Sequence, residues 1–185
     1  MYRVCEIFRS LQGEGLNAGR AAVFIRFAGC NLACPWCDTD HSQFSQMSMD
    51  QILDTVRALN PMLIVATGGE PLLQLDAELA VNLQDRAPLA IETNGTRLPT
   101  FTPDWITVSP KAGSRLVVER GDELKVVWPQ ELDLSVLEAL NFDHHILQPQ
   151  WGPEYDHSLA LCIATVLARP RWRLGLQLHK ILNVR

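Results

Sequence analysis

The feature that most constrains the fold of this chain is a repeated alternation of apolar, strand-like runs with helix-like segments. The strand-like runs are at residues 21–27, 62–67, 89–93, 105–109, 124–128, 144–149 and 174–180. The helix-like segments are at residues 48–60, 73–86, 134–140 and 157–168. The first of these begins with Ser48 and has Gln51 three residues later, which is the pattern of a capping box. Such alternation is typical of a parallel sheet, and helices are fewer than strands. We therefore predict an α/β fold, a partial (open) β/α barrel of about six mostly parallel strands with reduced helices.

Composition limits the classes of protein that this chain can belong to. Its 185 residues fit a single domain, residues 1–185, and 47% of them are apolar. The net charge of −5 and the lack of a Lys/Arg stripe argue against nucleic-acid binding. No apolar stretch reaches the ~18 residues that a membrane span needs. The first residues, MYRVCEIF, do not have the pattern of a secretory signal, so we expect a cytoplasmic protein without membrane partners.

Three cysteines follow the strand-like run at 21–27 and are candidates for one metal site. Cys30, Cys34 and Cys37 are spaced Cys-x3-Cys-x2-Cys, and thiolates this close can converge on one soft metal centre. An iron–sulfur cube normally takes four cysteines, so three would leave one iron free for another ligand. With His41 the same thiols could form a Cys3His zinc site, and free thiols are also possible. A disulfide framework is less favoured because the chain has five cysteines, an odd number. Cys162 lies in an apolar stretch and is expected to be a small buried side chain.

Four short polar motifs come where predicted strands end. They are TGGEP (67–71), ETNG (92–95), SPK (109–111) and QPQ (148–150). Each motif taken singly is well explained as a turn. Ligands of open parallel sheets and β/α barrels bind at the carboxyl ends of the strands. Four motifs at the same edge as the cysteine loop therefore predict a binding site there.

The cysteine loop and the GGEP turn resemble the radical S-adenosylmethionine superfamily. The resemblance extends to the 7-carboxy-7-deazaguanine synthase family through FRSLQGEG (8–15), FIRFAGCNLACPWCDTD (24–40), ETNG, SPK and QLHK (177–180). It covers essentially the whole chain. It implies a lyase that contracts the ring of 6-carboxy-5,6,7,8-tetrahydropterin to 7-carboxy-7-deazaguanine with loss of ammonia, in queuosine and other 7-deazapurine biosynthesis. A 5′-deoxyadenosyl radical would remove the hydrogen from C6 of the pterin, and S-adenosylmethionine would be regenerated.

The same resemblance implies cofactors and partners. Cys30, Cys34 and Cys37 would hold a [4Fe–4S] cluster whose open iron binds S-adenosylmethionine. Thr39 would be a ligand of Mg²⁺, which favours hard oxygen donors, and the neighbouring Asp38 and Asp40 stay unassigned. A low-potential reductant such as flavodoxin and a homodimer are also implied.

Site residues are carried over from the matching motifs. The pterin would contact Gln12, Glu14, Arg26, His179 and the terminal carboxylate of Arg185. S-adenosylmethionine would contact Gly68, Gly69, Glu70, Thr93, Asn94, Ser109, Lys111 and Gln148. Taken without the resemblance, Arg26 reads as a salt-bridge partner on the sheet, and Gln12 and Glu14 as a solvated turn. Leu178 departs from the family pattern, which has a small hydroxyl residue there.

Two other functions remain open from the sequence. A radical S-adenosylmethionine activase of a glycyl-radical enzyme would share the size, the cysteine loop and GGEP. A non-catalytic Cys3His zinc module would use the same thiols with His41. LQGEG, CDTD and the C-terminal HK pattern favour the synthase over the activase.

Overall fold

A computed structural model describes residues 1–185, and one sheet of nine strands runs through the whole chain. The strands are β1 (Tyr2–Leu11), β2 (Ala21–Phe27), β3 (Ser45–Met47), β4 (Ile64–Gly68), β5 (Leu89–Thr93), β6 (Trp105–Val108), β7 (Arg120–Trp128), β8 (Asn141–Pro149) and β9 (Trp172–Leu174). The helices are α1 (Met49–Ala58), α2 (Ala77–Gln84), α3 (Leu134–Glu138), α4 (Tyr155–Ala168) and α5 (Leu178–Ile181). No helix is both long and apolar enough to cross a membrane.

The order of the strands makes the sheet an open, partial barrel. Across the sheet the order is β3-β1-β2-β4-β5-β6-β7-β8-β9. Every neighbouring pair from β2 to β9 is parallel, and β1 pairs antiparallel with both β2 and β3. Since β3 and β9 are the two free edges, the barrel does not close. The predicted fold class is confirmed.

The two faces of the sheet differ in chemistry because side chains alternate along each strand. On β2, Val23, Ile25 and Phe27 join a core of 28 buried apolar residues that includes residues of α1 to α4. Phe24, on the other face, belongs to a cluster of only six buried residues. Arg26 follows Phe24 on this inner face, toward the carboxyl end of the strand. The inner face is thus apolar at one end and polar where ligands of such sheets bind.

Local signals place the helices that cover the outer face. The capping box of α1 is confirmed: Gln51 N donates to Ser48 Oγ at 3.2 Å, and Ser48 N donates to Gln51 Oε1 at 2.8 Å. Replacing such a cap typically costs about 1 kcal/mol. Helix α2 begins later than the predicted residue 73, because residues 71–73 form a 3₁₀ turn and Asp76 caps the helix by accepting from Leu79 N. Cys162 on α4 is fully buried, as predicted.

The prediction of about six strands was too low, and one segment was assigned wrongly. Strand β1 was missed because Arg3, Glu6 and Arg9 interrupt its apolar positions, and β3 is only three residues long. The run 174–180 was predicted to be strand-like, but β9 ends at Leu174. Its last residues begin α5, since Leu178 N donates to Gly13 O at 2.9 Å instead of pairing with a strand.

Candidate active site

One cavity of about 570 Å³ opens at the carboxyl ends of the parallel strands. Of the residues predicted for the site, all but Glu70 line it: Gln12, Glu14, Arg26, Cys30, Cys34, Cys37, Thr39, Gly68, Gly69, Thr93, Asn94, Ser109, Lys111, Gln148, His179 and Arg185. Because these residues come from six strand ends and from the C-terminal segment, tertiary structure brings the predicted groups together.

The three cysteines lie on the irregular loop between β2 and β3. Cys37 N donates to Cys34 O at 3.1 Å and closes a turn between the second and third thiols. The Cys30 Sγ accepts from Asn94 Nδ2 at 3.8 Å, which links the loop to the end of β5. All three cysteines are free thiols, and burial raises the pKa of the Cys34 thiol.

The glycine pair at the end of β4, Gly68 and Gly69, allows close approach of the cysteine loop. Gly69 N donates to Phe27 O at 3.0 Å, and Glu70 N donates to Gly29 O at 2.9 Å. A Cβ on Gly69 would overlap the Gly29 carbonyl and lie 3.0 Å from Cys30 N. Gly68 has φ +136°, a conformation that side chains other than glycine rarely adopt. The pair therefore fixes the position from which the loop departs.

Glu70 lies behind the cavity wall and does not line the cavity. Its carboxylate links the turn after β4 with the turn after β5. Its carboxylate is fully buried and accepts from Leu72 N at 3.0 Å, Thr93 Oγ1 at 2.8 Å and Asn94 N at 2.7 Å. Burial raises the pKa of Glu70 despite these donors. In this arrangement Glu70 positions the ETNG turn that follows β5.

Lys111 brings a positive charge beside the thiols. Its Nζ donates to Ser109 O at 2.9 Å and to Ser109 Oγ at 2.6 Å, and it lies 5.4 Å from the centre of the Trp36 ring. Burial lowers the pKa of Lys111 to about 8. Gln148, on the same wall, has a buried Oε1 without a hydrogen-bond partner. An unpaired buried acceptor is costly, so this oxygen is available to a bound ligand.

The residues after the third cysteine are tied to the C-terminal segment. Thr39 Oγ1 donates to Asp38 Oδ1 at 3.4 Å, and Asp38 Oδ2 accepts from Gln177 Nε2 at 3.1 Å and from Lys180 Nζ. Burial opposes ionisation of Asp38, but the hydrogen bonds from Lys180 and Gln177 outweigh it and lower the pKa of Asp38. Asp40 closes a local turn two residues on. Asp38 is thus the neighbour that anchors the loop.

A group of buried charges lies elsewhere on the cavity wall. Lys125 Nζ forms an ion pair with Glu14 and lies 3.8 Å from Glu92 Oε1. Gln177 Nε2 donates to Glu14 Oε1 at 2.7 Å, and Gln12 Nε2 donates to Glu92 Oε1 at 3.0 Å. Burial opposes ionisation of Glu14, but the charge of Lys125 outweighs it and the pKa of Glu14 is lowered. This part of the wall therefore presents the ionised Glu14 carboxylate as an acceptor.

Arg26 and Arg185 share one carboxylate at the edge of the cavity. Arg26 Nε donates to Glu6 Oε1 at 2.8 Å, which leaves both Nη groups for a ligand. Arg185 pairs with the other oxygen of Glu6 and stacks over the Phe8 ring, 4.8 Å from its centre. The hydroxyl of Ser10 donates to the Arg185 main-chain oxygen. The chain terminus is thereby held at the cavity.

The LQGEG loop and α5 pack directly against each other. The bond from Leu178 N to Gly13 O is made by the backbone, so it does not depend on the side chain that departs from the family pattern. A Cβ on Gly13 would overlap the His179 ring. Burial lowers the pKa of His179, which keeps its imidazole neutral at physiological pH.

Comparison with known proteins gives the chain a family. A sequence model of the radical SAM superfamily matches residues 24–121. The 7-carboxy-7-deazaguanine synthase of Bacteroides thetaiotaomicron is 43% identical, over all of both chains. That of Bradyrhizobium diazoefficiens is 44% identical, over all of this chain and 99% of its own. QueE from Escherichia coli has a crystal structure that matches with a TM-score of 0.79 and 31% identity, over 96% of this chain and 94% of that one.

The chain belongs to the 7-carboxy-7-deazaguanine synthase family. Membership in this radical SAM family makes the chain a lyase whose cofactors are a [4Fe–4S] cluster and S-adenosylmethionine.

The donor set of this family member fits both cofactors. Three thiols line the cavity, while Cys5 and Cys162 lie outside it, so the protein supplies three ligands to a cube that takes four. No three Cys, His or carboxylate side chains are arranged as a complete metal-ligand set in this structure. The unpaired Gln148 Oε1 and the Gly68-Gly69 backbone offer polar groups to S-adenosylmethionine in the same cavity.

Three cavity residues of this family member were given no individual role from the sequence, although Thr67 and Glu92 belong to the TGGEP and ETNG motifs. Thr67, Glu92 and Lys125 line the cavity from the ends of β4, β5 and β7. Thr67 Oγ1 donates to Glu92 Oε2 at 3.0 Å, so the two side chains share the inner face. The available signal was a charged residue inside an apolar run, as in LAIET and LKVVW. Gln177, which bridges Glu14 and Asp38, had no comparable signal because its partners are distant in sequence.

Proposed function

We propose that this chain catalyses the ring contraction of 6-carboxy-5,6,7,8-tetrahydropterin to 7-carboxy-7-deazaguanine, with release of ammonia, on the pathway to queuosine and other 7-deazapurines. The observation that carries the proposal is that a single cavity holds the three thiols together with a charged acceptor group and an arginine. Residues 1–185 act in it as one catalytic domain. When bound, the cluster and S-adenosylmethionine supply a radical that removes a hydrogen atom from the substrate.

The functional groups of the pterin are complementary to the side chains of the cavity wall. Its flat edge carries amino and ring N–H donors, which the ionised Glu14 accepts. Gln12 lies beside Glu14, since Glu14 N donates to Gln12 Oε1 at 3.1 Å. The anionic carboxylate of the substrate binds the free Nη groups of Arg26, whose fork suits a bidentate contact. His179 and the terminal carboxylate of Arg185 complete the set of contacts.

Magnesium is part of the proposal, with Thr39 as its protein ligand. Thr39 lines the cavity two residues after Cys37, and its hydroxyl has only a long, 3.4 Å contact with Asp38. Mg²⁺ keeps several waters and takes few protein oxygens together with a substrate oxygen. With Thr39 as its protein ligand, the ion would hold a substrate carboxylate near the cluster loop.

The partners follow from the same proposal. We infer a low-potential reductant such as flavodoxin, because a radical SAM cluster must be reduced before each cleavage. We also infer a homodimer that works in the cytoplasm, where the thiols of an apoprotein stay reduced.

Anaerobic reconstitution tests the function. The purified protein is loaded with iron and sulfide, then incubated with the carboxytetrahydropterin, S-adenosylmethionine, Mg²⁺ and dithionite. We expect a brown protein with about four irons per chain, and a product with the mass of 7-carboxy-7-deazaguanine. A second reaction without Mg²⁺ should lose most of this product.

Other outcomes contradict specific parts of the proposal. A loaded protein that cleaves S-adenosylmethionine but never forms the deazaguanine would favour the activase. A colourless protein with one zinc would exclude the radical chemistry. Full turnover without Mg²⁺ would remove Thr39 from the metal site.

A further inference from the structure

We propose that Lys125 is a positioning residue for the substrate, which keeps Glu14 and Glu92 ionised together so that both accept hydrogen bonds from the donor edge of the pterin. This inference rests on the proposed function and deepens it, because it explains how two carboxylates remain acceptors on one wall. Lys125 acts through its neighbours and takes no part in the hydrogen transfer.

The geometry places the Lys125 ammonium between the two carboxylates. The side chain of Lys125 is only 7% exposed, and those of Glu14 and Glu92 are 15% and 22% exposed. Lys125 pairs with Glu14 Oε2 and lies 3.8 Å from Glu92 Oε1. These three groups come from a loop, β5 and β7, so no local sequence pattern brings them together. They form one acceptor surface with a shared counter-charge.

Neutral hydrogen bonds fix the orientation of both carboxylates. Gln177 Nε2 donates to Glu14 Oε1 at 2.7 Å, whereas Lys125 pairs with Glu14 Oε2. Thr67 Oγ1 donates to Glu92 Oε2 at 3.0 Å, and Gln12 Nε2 donates to Glu92 Oε1 at 3.0 Å. These donors persist if the lysine is removed, so its loss changes charge more than position.

The surrounding titratable groups do not replace Lys125. Glu123 faces Lys125 from the same strand, and as a carboxyl group it cannot supply the positive charge that Lys125 does; burial raises its pKa. Burial lowers the pKa of His179, which faces Glu14 from α5 and is neutral near pH 7. Burial likewise lowers the pKa of Lys111 to about 8, and Lys111 forms no ion pair with either carboxylate.

The charge of Lys125 therefore determines whether both carboxylates remain hydrogen-bond acceptors. Burial alone would lower the pKa of Lys125, but the Glu14 and Glu92 carboxylates outweigh it and raise that pKa. Two carboxylates that share a site without a counter-charge cannot both ionise, and one of them takes up a proton. A protonated carboxyl group donates a hydrogen bond, so it opposes the N–H groups of the pterin. Removal of Lys125 should thus make pterin binding depend on pH.

The test compares Lys125→Met with the wild-type protein from about pH 6 to about pH 9, a range that covers the raised pKa of a buried carboxyl pair. Pterin affinity is measured anaerobically by calorimetry, and product formation is measured separately by mass analysis. Wild-type affinity should be flat with pH. The variant should bind normally at high pH and lose up to about tenfold in affinity per pH unit below the pKa of the pair, because binding then releases a proton.

Three further variants separate charge from structure. Lys125→Arg keeps the positive charge and should restore the flat profile even if affinity falls. Lys125→Met combined with Glu92→Gln removes the repulsion between the two carboxylates but leaves Glu14 buried, so its loss of affinity should begin at a lower pH than in Lys125→Met. Arg57→Met removes one positive charge from an exposed position on α1, and this control variant should behave as wild type. The double variant and Lys125→Arg keep the test valid if Lys125→Met does not fold.

The outcomes distinguish this inference from the proposed function. Turnover by the wild type together with pH-independent affinity in Lys125→Met overturns the role of Lys125 and leaves the function intact. A sloping profile in Lys125→Arg also overturns it, since charge would not be the cause. A wild-type protein that neither binds nor converts the pterin overturns the function and the role of Lys125 with it.

Discussion

Arg26 shows how one side chain on the inner face combines a structural and a binding role. Its Nε donates to Glu6 Oε1 at 2.8 Å, which fixes the guanidinium, and the side chain lines the cavity with both Nη groups unpaired. The sequence alone favoured a salt bridge on the sheet, and the structure contains that salt bridge. The two roles are compatible because Arg presents its donors as a fork, and one side of the fork is used here.

Arg26→Ala should keep the cluster and S-adenosylmethionine cleavage but lose productive pterin turnover. A charged hydrogen bond to the substrate contributes about 2–3 kcal/mol, so kcat/KM for the pterin should fall about 30- to 150-fold. Steady-state product formation measures the loss, and 5′-deoxyadenosine formation measures cleavage. Arg57→Ala is the control, since Arg57 is exposed on α1. Unchanged turnover in Arg26→Ala would remove Arg26 from the site.

At the scale of elements, the segment after β9 connects the substrate loop with the cysteine loop. Gln177 donates to both Glu14 and Asp38, and Lys180 pairs with Asp38 while lying 5.0 Å from the centre of the Trp151 ring. The segment contains only one turn of helix, α5, so tertiary contacts hold it rather than helix propensity. Its role is to complete the cavity.

Removal of residues 183–185 should weaken pterin binding without affecting the cluster. These residues are exposed, so the fold should persist, but the Arg185 carboxylate at the cavity is lost. We expect KM for the pterin to rise about tenfold, equivalent to ~1.4 kcal/mol, with S-adenosylmethionine cleavage unchanged. Arg185→Ala keeps the terminal carboxylate and serves as the matched comparison. Equal KM in the truncated and wild-type proteins would exclude the terminus from the site.

At the scale of the whole molecule, cofactor binding should stabilise the entire chain. The cavity is lined by residues from most strands of the sheet and from the C-terminal segment, so a ligand bound only in the folded state is linked to global unfolding. Saturation at a hundred times Kd contributes about 2.7 kcal/mol. For a chain of this size, that raises Tm by about 5–10 °C.

Thermal unfolding under anaerobic conditions measures this stabilisation with and without the cluster and S-adenosylmethionine. Replacing Cys30, Cys34 and Cys37 by serine should abolish the rise in Tm. Cys5→Ser should retain it, because Cys5 lies outside the cavity. A rise of equal size in the triple variant would show that the stabilisation does not depend on the three thiols.

The sequence by itself determined the parallel sheet and the position of the site along the chain. The apolar runs 21–27, 89–93 and 124–128 all became strands, and the Ser48 capping box began α1, because periodicity and capping are local properties. The strand-end motifs also converged as expected, since the carboxyl ends of parallel strands meet at one edge. Strands β1 and β3 escaped prediction because pairing, rather than local pattern, makes them strands.

Only the tertiary structure decided which side chains of the motifs line the cavity. The predicted contact of Glu70 with S-adenosylmethionine stays a prediction, and in the structure three donors bind its carboxylate behind the cavity wall. Lys125 looked like one polar residue in an apolar strand, yet it pairs with Glu14, 111 residues away. A sequence records which residues carry charge, whereas the burial and the partners that set their chemistry arise from contacts between distant segments.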